Sequence, residues 1–163
     1  MAADPVDSFQ SQLNKNLVPF LEQDSGIRRR VAVSILRKWG VTSDSLQALG
    51  QIRECELVAT VESDEALRVL GAGLRDFPSN HQKVSSILQE IGPAAEPFVW
   101  PALQDGNRLV VQAACRLLAE IGTEESLPRL QALPQGSLNL LVLRQTVRAI
   151  QQAQRQPTTK WAN

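Results

Sequence analysis

One helix ending occurs twice in this chain, almost letter for letter. Residues 87–92 read Ile-Leu-Gln-Glu-Ile-Gly, and residues 117–122, thirty positions later, read Leu-Leu-Ala-Glu-Ile-Gly. In both copies the apolar residues lie on one face of a helix that stops at the glycine. A helix ending that recurs at a fixed spacing is typical of stacked helical repeats, because each repeat buries its apolar face against the next. The sequence therefore predicts an all-α protein.

The second copy belongs to the clearest helix of the chain, which is predicted over residues 107–121. Asn107 is a suitable N-cap, and Gly122 is a suitable residue for the helix to stop at. Thr123 is expected to cap the next helix, and a further helix is expected to begin at Ser137. The inward positions predicted by the helical period are Val110, Ala114, Leu117, Leu118 and Ile121, then Val142, Thr146, Ala149, Ile150 and Ala153.

Earlier parts of the chain repeat this pattern. The helices predicted there cover residues 7–22, 27–39, 65–76, 82–91 and 93–105. The last of these should kink at Pro101, because an interior proline removes a backbone hydrogen bond. Residues 27–39 align position by position with the helix ending at Gly122, which places Trp39 at the core position of Ile121. Residues 43–62 have a blurred period but are expected to hold one more helix pair.

These helices make about five pairs in a single domain, residues 1–155. Residues 156–163 are polar and contain a proline, so we expect a flexible C-terminal tail.

The charge balance narrows the possible functions. Seventeen basic and seventeen acidic side chains cancel to a formal net charge of zero, so no chain-wide field would attract nucleic acid or anionic lipid. Neither a signal peptide nor an apolar run of about 20 residues is present in the sequence. Cys55 and Cys115 are sixty residues apart without metal-ligand spacing, which indicates buried thiols in a reducing compartment. We therefore expect a cytoplasmic protein without membrane contact, metal ion or cofactor.

The repeats resemble a known family. Residues 114–122, Ala-Cys-Arg-Leu-Leu-Ala-Glu-Ile-Gly, and residues 127–130, Leu-Pro-Arg-Leu, resemble the short HEAT-like repeats first associated with phycobilin lyases. Residues 84–92 and 32–40 match that pattern less completely, and the resemblance covers most of residues 20–155. It implies a right-handed α-solenoid of about five HEAT-like helix pairs. HEAT solenoids are mostly scaffolds, although the fold also hosts lyases and a DNA glycosylase family, so the side chains must decide the function.

HEAT units also often pair an aspartate in the turn between their helices with an arginine at the start of the second helix. Asp24 with Arg29 or Arg30 fits this arrangement. Asp105 finds only valines at the equivalent place, so the resemblance implies that this pair is missing.

In such a solenoid the second helices of successive pairs line one face, here called the ridge. Its outward positions carry six basic and two acidic residues within a neutral chain. This bias favours a protein partner with an acidic surface, and the alternative is a solvated face that only keeps the protein in solution. The candidate partner-binding residues are Arg30, Arg37, Lys38, Gln82, Ser86, Gln112, Arg116, Arg144 and Arg148.

Other functions have weaker support in the residues. Residues 28–30 are three arginines, but no aromatic residues interleave them to stack bases, and Val31 and Ile35 indicate a docked helix, so nucleic acid is not expected. His81 is the only histidine and has no positioned acid or nucleophile, so no catalytic residue is predicted. Trp100, next to Pro101, is expected to be partly exposed.

The resulting hypothesis is a non-catalytic protein–protein interaction or scaffolding module that binds its partner along the ridge. An accessory factor or lyase in tetrapyrrole (bilin) attachment is the alternative, which the resemblance alone implies. A purely structural spacer is the third.

Overall fold

The computed structural model describes residues 5–23, 26–76, 80–133 and 140–155. In these ranges the chain forms helices and turns and no strand, which confirms the all-α class. Contacts divide the chain into two compact units, Met1–Leu70 and Gly71–Asn163. Asp24, Ser137 and the predicted tail 156–163 lie outside the described residues.

The first unit is organised around its longest helix, α1, which packs against both α2 and α3. Residues 43–62 hold the expected helix pair as two short helices, and Arg53 between them has a φ of 66°. This turn in a non-glycine residue interrupts the helical period, which accounts for the blurred pattern. The helices of this unit are α1 (Pro5–Glu22), α2 (Gly26–Trp39), α3 (Ser43–Gln51), α4 (Cys55–Val58) and the first part of α5 (Asp64–Gly73).

The second unit is built around α8, which packs against α6, α7 and α10. The Asn107 side chain accepts a hydrogen bond of 3.0 Å from the Leu109 N–H, which confirms the predicted N-cap. All five inward positions predicted for α8 are buried. The helices of this unit after α5 are α6 (His81–Ile91), α7 (Glu96–Val99), α8 (Arg108–Ile121), α9 (Ser126–Gln131) and α10 (Leu140–Arg155).

Residues 93–105 form three short helical segments in place of the single predicted helix. A 3₁₀ turn over Gly92–Ala95 precedes α7, and another 3₁₀ segment over Trp100–Gln104 follows it. Each segment has a proline in its first turn, where the missing N–H costs least. The interruption expected at Pro101 is therefore a change of helix type that begins at Trp100.

Several predicted core positions are wrong. Trp39 is 51% exposed and Val31 is 54% exposed, because α2 is not enclosed by helices on several sides as α8 is. Ala153 is also exposed, since it lies in the last turn of α10 beyond the buried Ile150. The helix predicted after Thr123 begins only at Ser126.

A glycine follows each of the three aligned helices, and it is needed there for one of two physical reasons. Gly40 and Gly92 have φ values of 93° and 77°, a region that side chains with a Cβ rarely adopt. Gly122 has an ordinary φ of −70°, but a Cβ there would lie closer than 3.0 Å to the Leu118 carbonyl oxygen. The predicted helix stop at Gly122 is confirmed, and close approach of the backbone explains its glycine.

Each unit contains one buried polar side chain that ties a helix to a later turn. In the first unit, the Asn14 side-chain oxygen accepts hydrogen bonds from the Thr42 N–H at 3.0 Å and the Ser45 hydroxyl at 2.6 Å. Its amide nitrogen donates to the Gly40 carbonyl at 3.3 Å. The turn that leads into α3 is thereby held against α1.

Glu96 has the corresponding place in the second unit. It is 3% exposed and accepts hydrogen bonds from the Thr123 N–H at 3.0 Å and from the Ser126 hydroxyl. These bonds hold residues 123–126 as a turn, which explains why α9 begins late. In both units, therefore, a side chain of one helix holds the turn that follows the next long helix: Asn14 of α1 holds the turn after α2, and Glu96 of α7 holds the turn after α8.

Candidate functional site: a groove between α6 and α8

A groove of about 570 Å³ lies between α6 and α8 in the second unit. Four ridge residues line it: Gln82 and Ser86 on α6, and Gln112 and Arg116 on α8. Each pair is spaced four residues apart, which places both members on the same helix face. The groove is therefore the place where the structure brings predicted site residues together.

The groove also has an apolar part that the ridge prediction missed. Leu109, Ala113 and Leu117 of α8 line it, and Leu109 is 48% exposed. Their positions follow from the same helical period as the polar residues. The sequence predicted Leu117 as a core position and assigned no role to Leu109 or Ala113, and only the separation of the two helices reveals that all three border open space.

The charged groups of the groove are unevenly placed. The Gln89 amide on α6 donates a hydrogen bond to the Glu120 carboxylate on α8, so one ridge acid is already engaged between the helices. Arg116, one turn earlier on α8, is exposed, and Lys83 lies on the opposite wall. Two cations therefore face the groove together with one carboxylate.

His81 is a further groove residue that sequence reasoning set aside. It is the first residue of α6, it is half-buried, and it lines the groove with Ser85. The repeat register could not have placed it there, because the equivalent position thirty residues later is Val111, which is buried.

The remaining ridge residues lie elsewhere. Arg144 and Arg148 are exposed on α10 and do not line the groove. Arg30, Arg37 and Lys38 are exposed on α2 in the first unit. Arg30 and Arg37 border a depression of about 200 Å³. There the Arg37 guanidinium lies 3.8 Å from the Glu54 carboxylate.

A second groove in the same unit, of about 680 Å³, lies beside Trp100. The Trp100 indole N–H donates to the Ser126 hydroxyl at 2.9 Å, and the Arg129 guanidinium stacks 3.8 Å above the ring. Trp100 is half-buried, as the sequence predicted. The other groove residues are mostly apolar, among them Pro97, Pro101, Leu103 and Leu133.

The two HEAT-type ion pairs considered from the sequence have different outcomes: the pair of Asp24 stays a prediction, because Asp24 lies outside the described residues, whereas Asp105, expected to have no arginine, has one. Asp105 does have an arginine nearby, since the Arg75 guanidinium lies 3.6 Å from its carboxylate and also donates to the Pro101 carbonyl. This arginine comes from the chain segment after α5, so a search of the second helix could not find it. Arg29 donates to the Leu21 and Gln23 carbonyls at the end of α1.

Both cysteines are buried thiols, as predicted, and burial raises the pKa of Cys115 to about 11. Among the described residues, no three His, Cys, Asp or Glu side chains are grouped so that they could hold a metal ion. In the same ranges, every helix is too short or too polar to cross a bilayer.

Comparison of the chain with profiles of known protein families, with curated proteins and with solved structures gave no match. The resemblance to HEAT-like repeats therefore stays a prediction from the sequence, and the function must be argued from the grooves and surfaces described above.

Proposed function

We propose that this protein is a non-catalytic protein-interaction or scaffolding module that binds its partner along the ridge, centred on the α6–α8 groove. The observation that carries the proposal is that Gln82, Ser86, Gln112 and Arg116, chosen from sequence register alone, border one open groove. Four polar side chains above an apolar floor are suited to an extended peptide segment.

The side chains indicate what kind of segment would bind. Amide groups such as those of Gln82 and Gln112 both donate and accept hydrogen bonds, which suits a peptide backbone. The Arg116 guanidinium can bind a carboxylate with two parallel hydrogen bonds. Leu109 offers exposed apolar surface for one aliphatic side chain. The proposed partner therefore presents an acidic residue close to an aliphatic one.

The proposal includes a right-handed α-solenoid of about five HEAT-like helix pairs as the scaffold for this ridge. The recurring ties made by Asn14 and Glu96 support it, because they join helix to later turn in the same way in both units. The proposal also places the module in the cytoplasm, which agrees with two buried thiols.

Site-specific cross-linking combined with affinity capture tests the groove. A photoreactive residue would be placed at Ser86, and the protein would capture its partner from a lysate of the native cell. We expect a cross-linked protein that is lost in the Arg116→Glu background. It should also fail to form when the lysate contains 1 M salt during irradiation, because the Debye length then falls to about 3 Å.

Arg68→Glu is the matched control, since Arg68 is an exposed arginine of α5 outside the ridge. The same partner should cross-link to this variant as to the parent protein. Equal cross-linking by the Arg116→Glu variant would overturn the role of Arg116 in binding an acidic partner, and the absence of any protein cross-linked from position 86 would rule out the groove as the binding site.

The second candidate function, an accessory role in bilin attachment, is favoured by the groove beside Trp100. Its volume of about 680 Å³ and its apolar lining suit a flat hydrophobic ligand, and Arg129 could pair with a propionate. Titration with a free bilin should then shift the bilin absorption and quench Trp100, and Arg129→Ala should weaken both effects. A bilin spectrum unchanged at high protein concentration would exclude this role.

A further inference from the structure

The first unit exposes an apolar surface that lies outside the α6–α8 groove. Most of the large apolar side chains that are exposed in the described residues lie on α1 and α2. Helices α1 and α2 pack against each other, and a soluble domain rarely exposes so many apolar groups on two adjacent helices without a binding role. These residues, which are 42% to 70% exposed, are Val6, Phe9, Phe20, Ile27, Val31 and Trp39.

The α2 residues of this surface form one continuous face. Ile27, Val31, Ile35 and Trp39 are spaced four apart, so they lie along one side of the helix, here called the α2 face. The Phe9 ring of α1 meets the Trp39 ring edge to face, with the ring centres 6.3 Å apart. The α2 face therefore continues onto α1.

The second unit shows what a surface of this kind accommodates. In the alignment of α2 with α8, Ile27 corresponds to Leu109, Val31 to Ala113 and Ile35 to Leu117. Those three α8 residues face α6 across the groove, and α6 packs against α8. In α8, then, the equivalent face has an amphipathic helix beside it, whereas in α2 two of the three residues are exposed.

Charge identifies the kind of helix that would fit. Helix α2 contains four arginines and one lysine and no acidic residue. Lys38 corresponds in the alignment to Glu120, the residue that receives the Gln89 amide from α6. Suppose that a helix packs on α2 in the way that α6 packs on α8. It would then contact the Lys38 ammonium at the position where α6 contacts the Glu120 carboxylate.

The same charges argue against a second copy of the chain on this surface. A copy that presented α2 would bring two basic helices together. A copy that presented α10 would do so as well, because α10 contains three arginines and no acidic residue. Like charges across an interface oppose association.

We propose that the α2 face binds an amphipathic, acidic helix of a protein partner, with its apolar side on Ile27, Val31 and Trp39 and its carboxylates against Lys38 and Arg28. The binding mode is a helix laid on an apolar helix face, with flanking charges that select the partner. This inference does not depend on the α6–α8 groove.

The test uses a synthetic helical peptide as the probe, with leucines along one face and glutamates on the flanks, and a second peptide in which every glutamate is lysine. Binding of the labelled peptides to the full chain is measured by fluorescence anisotropy. The Arg116→Glu background is included, because an acidic peptide could also enter the α6–α8 groove. We expect the acidic peptide to bind in both backgrounds, and the lysine peptide to bind at least about tenfold more weakly.

Two variants assign the binding to the α2 face. Ile27→Ser with Val31→Ser should weaken the acidic peptide about tenfold, and Lys38→Glu should weaken it while improving the lysine peptide. Leu141→Ser on α10 removes an equally exposed apolar side chain elsewhere and should leave binding unchanged. All substituted residues are exposed, and circular dichroism would verify that the helices persist.

Four results would overturn the proposal. They are no binding of the acidic peptide, equal binding of both peptides, binding that the α2 variants do not change, and binding that disappears in the Arg116→Glu background. If the parent protein did not bind the peptide but bound phosphatidylserine-containing vesicles, and the Ile27→Ser, Val31→Ser variant lost that vesicle binding, the surface would be a membrane contact. Self-association in sedimentation equilibrium that the same variant abolished would assign the surface to a second copy.

Discussion

Replacing Glu96 by alanine tests the most buried charged group of the described chain. The carboxylate is 3% exposed and accepts hydrogen bonds from the Thr123 N–H and the Ser126 hydroxyl. The Glu96→Ala variant would leave the half-buried Thr123 N–H without its acceptor. The Ser126 hydroxyl would keep only its contact with the Trp100 indole.

The expected loss of stability is the difference between two opposing contributions to the free energy of unfolding. A hydrogen bond to a charged group contributes about 1.5–3 kcal/mol, so the loss of two gives a gross cost of about 3–6 kcal/mol. Removing a buried carboxylate also removes the cost of its desolvation, which offsets part of that loss. We expect Glu96→Ala to lower the free energy of unfolding by about 2–4 kcal/mol.

Urea unfolding followed by far-ultraviolet circular dichroism measures this change. Glu96→Gln keeps an acceptor oxygen of the same reach and should therefore lose less stability than Glu96→Ala. Glu90→Ala is the control, since Glu90 is an exposed glutamate on α6 and should change stability by no more than about 0.5 kcal/mol. If Glu96→Ala fell within that same range, the reasoning that Glu96 holds the turn before α9 would be wrong.

Three further predictions concern packing, thiol reactivity and pH. Gly71→Ala should destabilise the protein by about 1–3 kcal/mol in urea unfolding, because the added Cβ would lie closer than 3.0 Å to the backbone carbonyl of Phe98, whereas Gly26→Ala, which meets no atom, should not. Both cysteines should resist a thiol reagent at mild alkaline pH until urea is added, since they are buried and the pKa of Cys115 is about 11; rapid labelling of the native protein would contradict this. The pKa of Asp44 lies below its usual value, chiefly because a serine hydroxyl donates to it, so its stabilising effect should be complete above pH of about 4 and decline as pH falls through that lowered pKa. Unfolding free energies of Asp44→Asn and the parent should then differ at pH 7 and converge in strong acid.

The sequence predicted α8 well because this helix is packed against α6, α7 and α10. Around such a helix the apolar period and the buried face coincide, so Val110 and Ile121 were placed correctly. The same period was misleading in α2, where Trp39 is exposed. A helical period tells which residues share a face, and it contains no information about whether a neighbour covers that face.

The candidate site was predictable to a similar extent. The register of α6 and α8 selected Gln82 and Arg116 for one groove, because outward positions on adjacent helices must lie near each other. The partner of Asp105 was missed, since Arg75 reaches it from a distant part of the chain. The late start of α9 was also missed, because the acceptor that delays it, Glu96, belongs to a different helix.

A chain built from similar repeats forms similar surfaces more than once, and their surroundings decide which of them remain open. The face of α8 that contains Leu117 borders α6, and the contact between Gln89 and Glu120 joins these helices. The corresponding face of α2 has Ile35 and Lys38 at those positions. The apolar residue is kept at the first of these positions, which retains affinity for a helix. The charge is reversed at the second, which changes the kind of helix that is accepted. On this reasoning a repeat-built chain can present the same helix-binding geometry at two places, and charge at a single equivalent position would direct a different partner to each.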